Sequence, residues 1–134
     1  MNIVLDTNVL VSGVFWKGNE STVLASCLSK DISNFISPSI IDEFDRVLHY
    51  DKFQFNTVEI QHALETILAC STVILPQVKL DIVNDDSADN KILECAVAAN
   101  AACIVSGDHH LLQLGSYKNI NIVSAKQFIK LFLK

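Results

Sequence analysis

Residues 1–13 read MNIVLDTNVLVSG, and the reading of the fold turns on how the apolar run at 3–5 ends. NIVL has the branched, apolar character of a buried β-strand, yet the next residue is Asp6. A strand that ends on a carboxylate places a charge at the rim of its own core. Such a charge serves as a helix cap, a salt-bridge partner or a metal ligand.

Outward from this stretch, residues 34–37, 72–75, 102–106 and 120–123 form four more short apolar runs. None shows the clean alternation of a sheet with one wet face, so all five predict strands covered on both sides. Helical spacing fills the gaps. In TVLASCLSK the apolar positions are Val23, Leu24, Cys27 and Leu28, and in VEIQHALETILAC they are Ile60, Ala63, Leu64, Ile67 and Leu68. NKILECAVAAN and AKQFIKLFLK are further amphipathic segments. Alternating strands and helices predict an α/β fold with a mostly parallel sheet and helices on both faces. Sites in such folds form at the carboxyl ends of the strands, and Asp6 stands at one.

The 134 residues predict one domain spanning 1–134. Half are hydrophobic and 19% charged, which excludes a disordered chain. No apolar run approaches the roughly 18 residues of a membrane span, and Asp6 interrupts any signal-like segment. The expectation is a soluble, cytoplasmic protein with no membrane partner. Cys27, Cys70, Cys95 and Cys103 are scattered through apolar stretches, which predicts reduced core thiols. The net charge is −5 and Arg46 is the lone arginine, against a nucleic-acid binder with a broad basic face. An enzyme that grips phosphates through metal ions is not excluded.

Three more acids are candidates to converge on Asp6. In ISPSIIDEFDRVLHY, Ser37 is a good N-cap and Pro38 a good first helical residue. Glu43 then shares the inward stripe of Ile40, Phe44 and Val47, while Asp42, Asp45, Arg46 and His49 fall on the wet face. A salt bridge at the helix edge is the alternative for Glu43. Asp89 precedes Ile92, Leu93 and Ala96 on another stripe; it either caps that helix or points to a site while Ser87 caps. Asp85 and Asp86 read as loop acids. In AACIVSGDHHLLQLG, Asp108 follows a buried run and either caps a short helix carrying Leu111, Leu112 and Leu114 or joins the site. Gly107 before it implies special dihedrals or close packing. Like charges roughly 4 Å apart repel by about 4 kcal/mol at an effective dielectric near 20, so such a cluster needs protons or a cation. Oxygen-only ligands favour Mg²⁺ or Mn²⁺, ions suited to phosphodiester cleavage.

LDTNVLVSG, SIIDEF, RVLHYDKF, DNKILECAVAA and IVSGDHHLL occur in the order and spacing of PIN-domain proteins, and the chain resembles that family over nearly its whole length. The resemblance is nearest to VapC-like toxins of toxin–antitoxin systems. It implies a three-layer α/β/α sandwich with a five-stranded, mostly parallel sheet. It also implies a Mg²⁺- or Mn²⁺-dependent ribonuclease acting on RNA, an antitoxin partner and a homodimer. Matched motif by motif, the family's acidic quartet falls on Asp6, Glu43, Asp89 and Asp108. Asn8 matches a position that supports the first Asp, and Ser106 the hydroxyl residue before the GD pair. Family members often carry an acid where this chain has Ala88, and another where it has His110, which leaves the number of metals open.

Lesser candidates are Lys91, His109 and His110, which could meet RNA phosphate but also read as exposed helix residues. The Asp-His-His at 108–110 spells the signature of the DHH phosphoesterases, yet no further DHD-like segment exists. A haloacid-dehalogenase phosphatase needs a second Asp where Asn8 stands, and a receiver domain's spacing fails. The remaining rival is a PIN fold that binds RNA or protein without cutting it. Phe15 and Trp16 in FWKG, and Phe53 and Phe55 in DKFQF, read as apolar patches for a partner, a dimer or the core.

Overall fold

A computed structural model describes residues 1–83 and 87–133; Asp85 and Asp86 lie outside the described residues. The chain runs β1 (Asn2–Leu5), α1 (Thr7–Phe15), α2 (Asn19–Ser26), β2 (Ser33–Ile36) and α3 (Pro38–Leu48). A 3-10 turn (Asp51–Phe53), α4 (Thr57–Ala69), β3 (Ser71–Val73) and α5 (Ser87–Ala98) come next. It closes with β4 (Cys103–Val105), α6 (His109–Leu114), β5 (Ser116–Tyr117), β6 (Ile120–Val123) and α7 (Ala125–Phe132).

The strands form one sheet in the order β3-β2-β1-β4-β6-β5. The five expected strands are its parallel part. A sixth, β5, pairs antiparallel with β6. Two residues are too few to carry a readable period. The hairpin is set instead by Lys118 and Asn119, both at positive φ (47° and 67°), as a two-residue turn requires. Helices flank the sheet as expected of an α/β/α sandwich: α1 packs on α2, α3 and α4, and α5 lies across β1, β2 and β4.

Chain order reverses at β1: strands advance outward through β2 and β3, then return to add β4 on its other side. This is a topological switch point, the place where open α/β sheets hold their ligands. Ile3, Val4 and Leu5 are almost wholly buried, as are Ile104 and Val105 of β4. Asn34 of β2 ties the left half together, accepting from the Leu5 N–H (3.1 Å) and donating to Ser71 Oγ (2.8 Å).

Several expectations need correction. The edge strand β3 is not covered on both sides, and Val73 is 51% exposed. Leu28 is exposed because α2 stops at Ser26 and turns away at Cys27. Leu68 is also exposed, on the outer side of α4. Helix α1 carries no clear helical stripe: its Val9, Leu10 and Val11 are all buried. Gly13 explains why α1 sits so close to α2. A Cβ there would stand 3.1 Å from the Glu20 carbonyl oxygen and 3.2 Å from Leu24. Gly107, by contrast, has no positive φ and open space where a Cβ would go, so neither reason for a glycine applies. All four cysteines are free thiols, three of them buried. Among the described residues, no helix is long and apolar enough to cross a membrane.

Candidate metal centre

The parallel register builds the centre of the site. Leu5 pairs with Val105, so the next residues, Asp6 and Ser106, leave their strands side by side. The Asp6 N–H extends the ladder to the Val105 carbonyl (2.9 Å). Asp6 is 6% exposed and Ser106 wholly buried. The Ser106 hydroxyl donates to Asp6 Oδ2 at 2.6 Å, and the Thr7 N–H donates to Oδ1 at 2.7 Å. Asp6 therefore caps α1 with one oxygen while the other is held across the switch point by a residue 100 positions away. Ser106 Oγ also accepts from the Asp108 N–H (2.9 Å). One hydroxyl thus links Asp6 with the backbone of Asp108.

Ser37 ends β2 and caps α3 through the Ile40 N–H (3.2 Å), with Pro38 in the first turn. Ile40, Phe44, Val47 and Leu48 form the buried stripe. Glu43 emerges beside it, its side chain 21% exposed and ion-paired with Arg46. Arg46 itself is 64% exposed, on the wet face as expected, and the pair is the helix-edge salt bridge that stood as the alternative for Glu43. The Arg46 Cβ points outward, but the long guanidinium returns one turn to Glu43, its i−3 neighbour.

A cleft of about 250 Å³ opens between α3 and the start of α5, lined by Thr7, Glu43, Arg46, Ser87, Ala88 and Lys91 among others. Of the expected quartet Glu43 lines this opening, together with Thr7 and Ala88, the chain neighbours of Asp6 and Asp89. Asp89 is 3% exposed in the first turn of α5. Ser87 is the first residue of that helix.

Asp108 caps α6, its Oδ1 accepting from the His110 N–H (2.8 Å). The ligating atoms of Asp108, His109 and His110 lie within 4.8 Å of one another. His109 is exposed and His110 half-buried, 3.7 Å from Asp108. Asn8 is exposed and lines clefts on two sides of α1, whereas Ser106 is a buried brace. The expected donors offer carboxylate oxygen throughout. That chemistry fits a hard divalent ion and not a thiophilic one.

Two buried polar residues escaped the reading of the sequence. Asn90 accepts from the Ile82 and Val83 N–H groups (2.9 and 2.8 Å) and donates to the Val83 carbonyl (2.8 Å). Glu94 accepts from the Leu80 N–H (2.8 Å) and faces Lys91 Nζ at 3.5 Å. Their i, i+4 spacing was the available signal, but their partners lie in a segment that forms no strand or helix.

A family model described as the PIN domain matches residues 2–110. The chain belongs to the PIN-domain family. No curated protein matches it in sequence. Among solved structures, this PIN domain is similar to VapBC2 from Rickettsia felis bound to a DNA fragment from its promoter. The TM-score there is 0.64 at 18% identity, covering 91% of this chain and 97% of the other. It is also similar to the PIN domain of T. brucei RRP44, with a TM-score of 0.51 and 12% identity over 96% and 78% of the two chains. At these identities the likeness is one of fold, and the fold is the PIN α/β sandwich.

Proposed function

We propose that residues 1–134 act as one PIN-type ribonuclease that hydrolyses RNA phosphodiester bonds, with Asp6, Glu43, Asp89 and Asp108 as its metal-holding residues. The observation that carries this is Asp6. It is buried at the switch point, with both carboxylate oxygens fixed by hydrogen bonds and its neighbour Thr7 opening onto the cleft of Glu43. The quartet would hold one or two Mg²⁺ or Mn²⁺ ions. When bound, such ions supply Lewis acidity toward a phosphodiester and make hydroxide accessible near neutral pH.

The chain's own groups do the rest. Ser106 and the Thr7 N–H hold Asp6 in one rotamer, so no reorganisation is needed when a ligand arrives. Arg46 stands in the same cleft, where a guanidinium matches phosphate geometry bidentately. Lys91 lines the cleft, while His109 and His110 flank Asp108. The fold-level likeness to the VapBC2 complex supports a toxin role with a cognate antitoxin as partner; a cytoplasmic setting and a homodimer complete the proposal. The Glu43–Arg46 ion pair favours a second reading, a module that binds RNA or protein with little cleavage.

RNA cleavage by purified protein in Mn²⁺, Mg²⁺ and EDTA, with Asp6→Asn alongside, separates the two. The nuclease reading expects metal-dependent cutting that the folded Asp6→Asn protein lacks. Cutting that survives that substitution overturns the role of Asp6; no cutting in either metal overturns the nuclease.

A further inference from the structure

A second cleft, of about 310 Å³, lies on the other side of Glu43. Besides Glu43 and Asn8 its lining includes Trp16, Tyr50, Lys52 and Phe53. The carboxylate of the proposed metal centre is therefore also one wall of an aromatic slot.

The aromatic residues here are built as a bed, not scattered. Phe15 and Phe55 stack with ring centroids 3.9 Å apart and planes 15° from parallel. Phe55 stacks in turn on Phe53 at 5.1 Å and 8°. These three rings are partly buried and packed on the hydrophobic core. Trp16 closes the row, 6.0 Å from Phe53, yet remains 51% exposed. Tyr50 is 44% exposed, and Lys52 Nζ sits 5.0 Å above the Phe53 ring. Burial accounts for the phenylalanines; it does not account for a half-exposed tryptophan held on a rigid bed at the mouth of a cleft.

We propose that this slot receives an unpaired RNA base flanking the scissile phosphate, stacked on Trp16, with Lys52 placed for the adjoining backbone. The inference rests on the nuclease reading and names the form of its substrate: single-stranded RNA. Charge supports it. A chain of net charge −5 with one arginine gains little from phosphate neutralisation. Stacking gains affinity from the π-face that every base carries, and a base in a duplex cannot offer that face. Continuity with Glu43 puts the slot within the same groove as the proposed chemistry.

Trp16 is the chain's one tryptophan, so fluorescence excited selectively at tryptophan reports this slot alone. The wild-type protein in EDTA is titrated with a short oligouridylate, which does not pair with itself, and with an RNA duplex of equal length. Quenching by the oligouridylate and little by the duplex is expected. With fluorescein-labelled oligouridylate, Trp16→Ala should weaken binding about tenfold, while Trp16→Phe stays near wild type. In cleavage assays the Trp16→Ala loss should fall on KM and not on kcat. Unchanged fluorescence, equal quenching by duplex, or unchanged affinity of Trp16→Ala overturns the slot. Quenching without cleavage in any metal would sink the nuclease and leave the slot; cleavage with an unchanged KM in Trp16→Ala would do the reverse.

Discussion

Ser106 ties the Asp6 carboxylate to the backbone of Asp108, two residues far apart in the chain. Its hydroxyl donates to Asp6 Oδ2 and accepts from the Asp108 N–H, in a position with no access to water. Ser106→Ala removes both hydrogen bonds, and losing such bonds at a buried site costs about 1–3 kcal/mol. We expect a loss of about 2 kcal/mol, or roughly 6 °C in melting temperature for a chain of this size. Ser106→Thr, which keeps the hydroxyl, should recover much of it; equal melting of wild type and Ser106→Ala would refute the brace. Asp6 was legible in the sequence because a charge directly after a buried strand is conspicuous. Ser106 came only from family resemblance, since its partner is 100 residues away. The Glu43–Arg46 pair stood only as an alternative in the sequence, because a helical wheel gives the direction of a Cβ and not the reach of a guanidinium.

Helix α5 shows the same at the scale of an element. Its apolar stripe was readable, and Ile92, Leu93 and Ala96 are buried as expected. What holds the chain before it was not. Asn90 supplies backbone partners that a neighbouring strand would otherwise offer to Ile82 and Val83, and Glu94 does so for Leu80. Asn90→Ala removes three hydrogen bonds at once and should destabilise the protein by about 2–3 kcal/mol. The specific signature is local. Amide exchange at Ile82 and Val83 should accelerate far more than exchange in β1. Uniform acceleration across the sheet would instead mean a global loss. Segment 74–83 was misleading in the sequence: Val78, Leu80 and Ile82 alternate with Lys79 and Asp81, yet no strand forms there and its order is borrowed from side chains of α5.

Across the whole molecule, the core itself sets a pH limit. Burial pushes the thiols of Cys27, Cys95 and Cys103 up to about 12, from an ordinary value of 9.0. Between those values the folded chain holds protons that the unfolded chain has lost. Stability is therefore full below pH 9 and falls as pH rises toward 12. Each thiol should contribute a loss of about 1 kcal/mol between pH 8 and pH 10. Urea midpoints at the two values test this, and Cys95→Ala should reduce the difference by about a third. A difference unaffected by that change would rule the thiol out. The four reduced cysteines were readable from their apolar settings, and the sheet from five short apolar runs. The sixth strand was not, because two residues held by a turn leave no pattern.

The sequence by itself determined the alternation of strand and helix, the parallel sheet, the cap at Ser37 and the four acids that end strands or open helices. All of these follow from local periodicity and from the placement of charge against apolar runs. Tertiary structure alone decided which acids are linked and by what. Strand register set Asp6 beside Ser106, the reach of Arg46 neutralised Glu43, and the packing of α1 against the turn after α3 made one slot of two distant aromatic motifs. Register and reach are relations between residues far apart in the chain, and no local pattern encodes them.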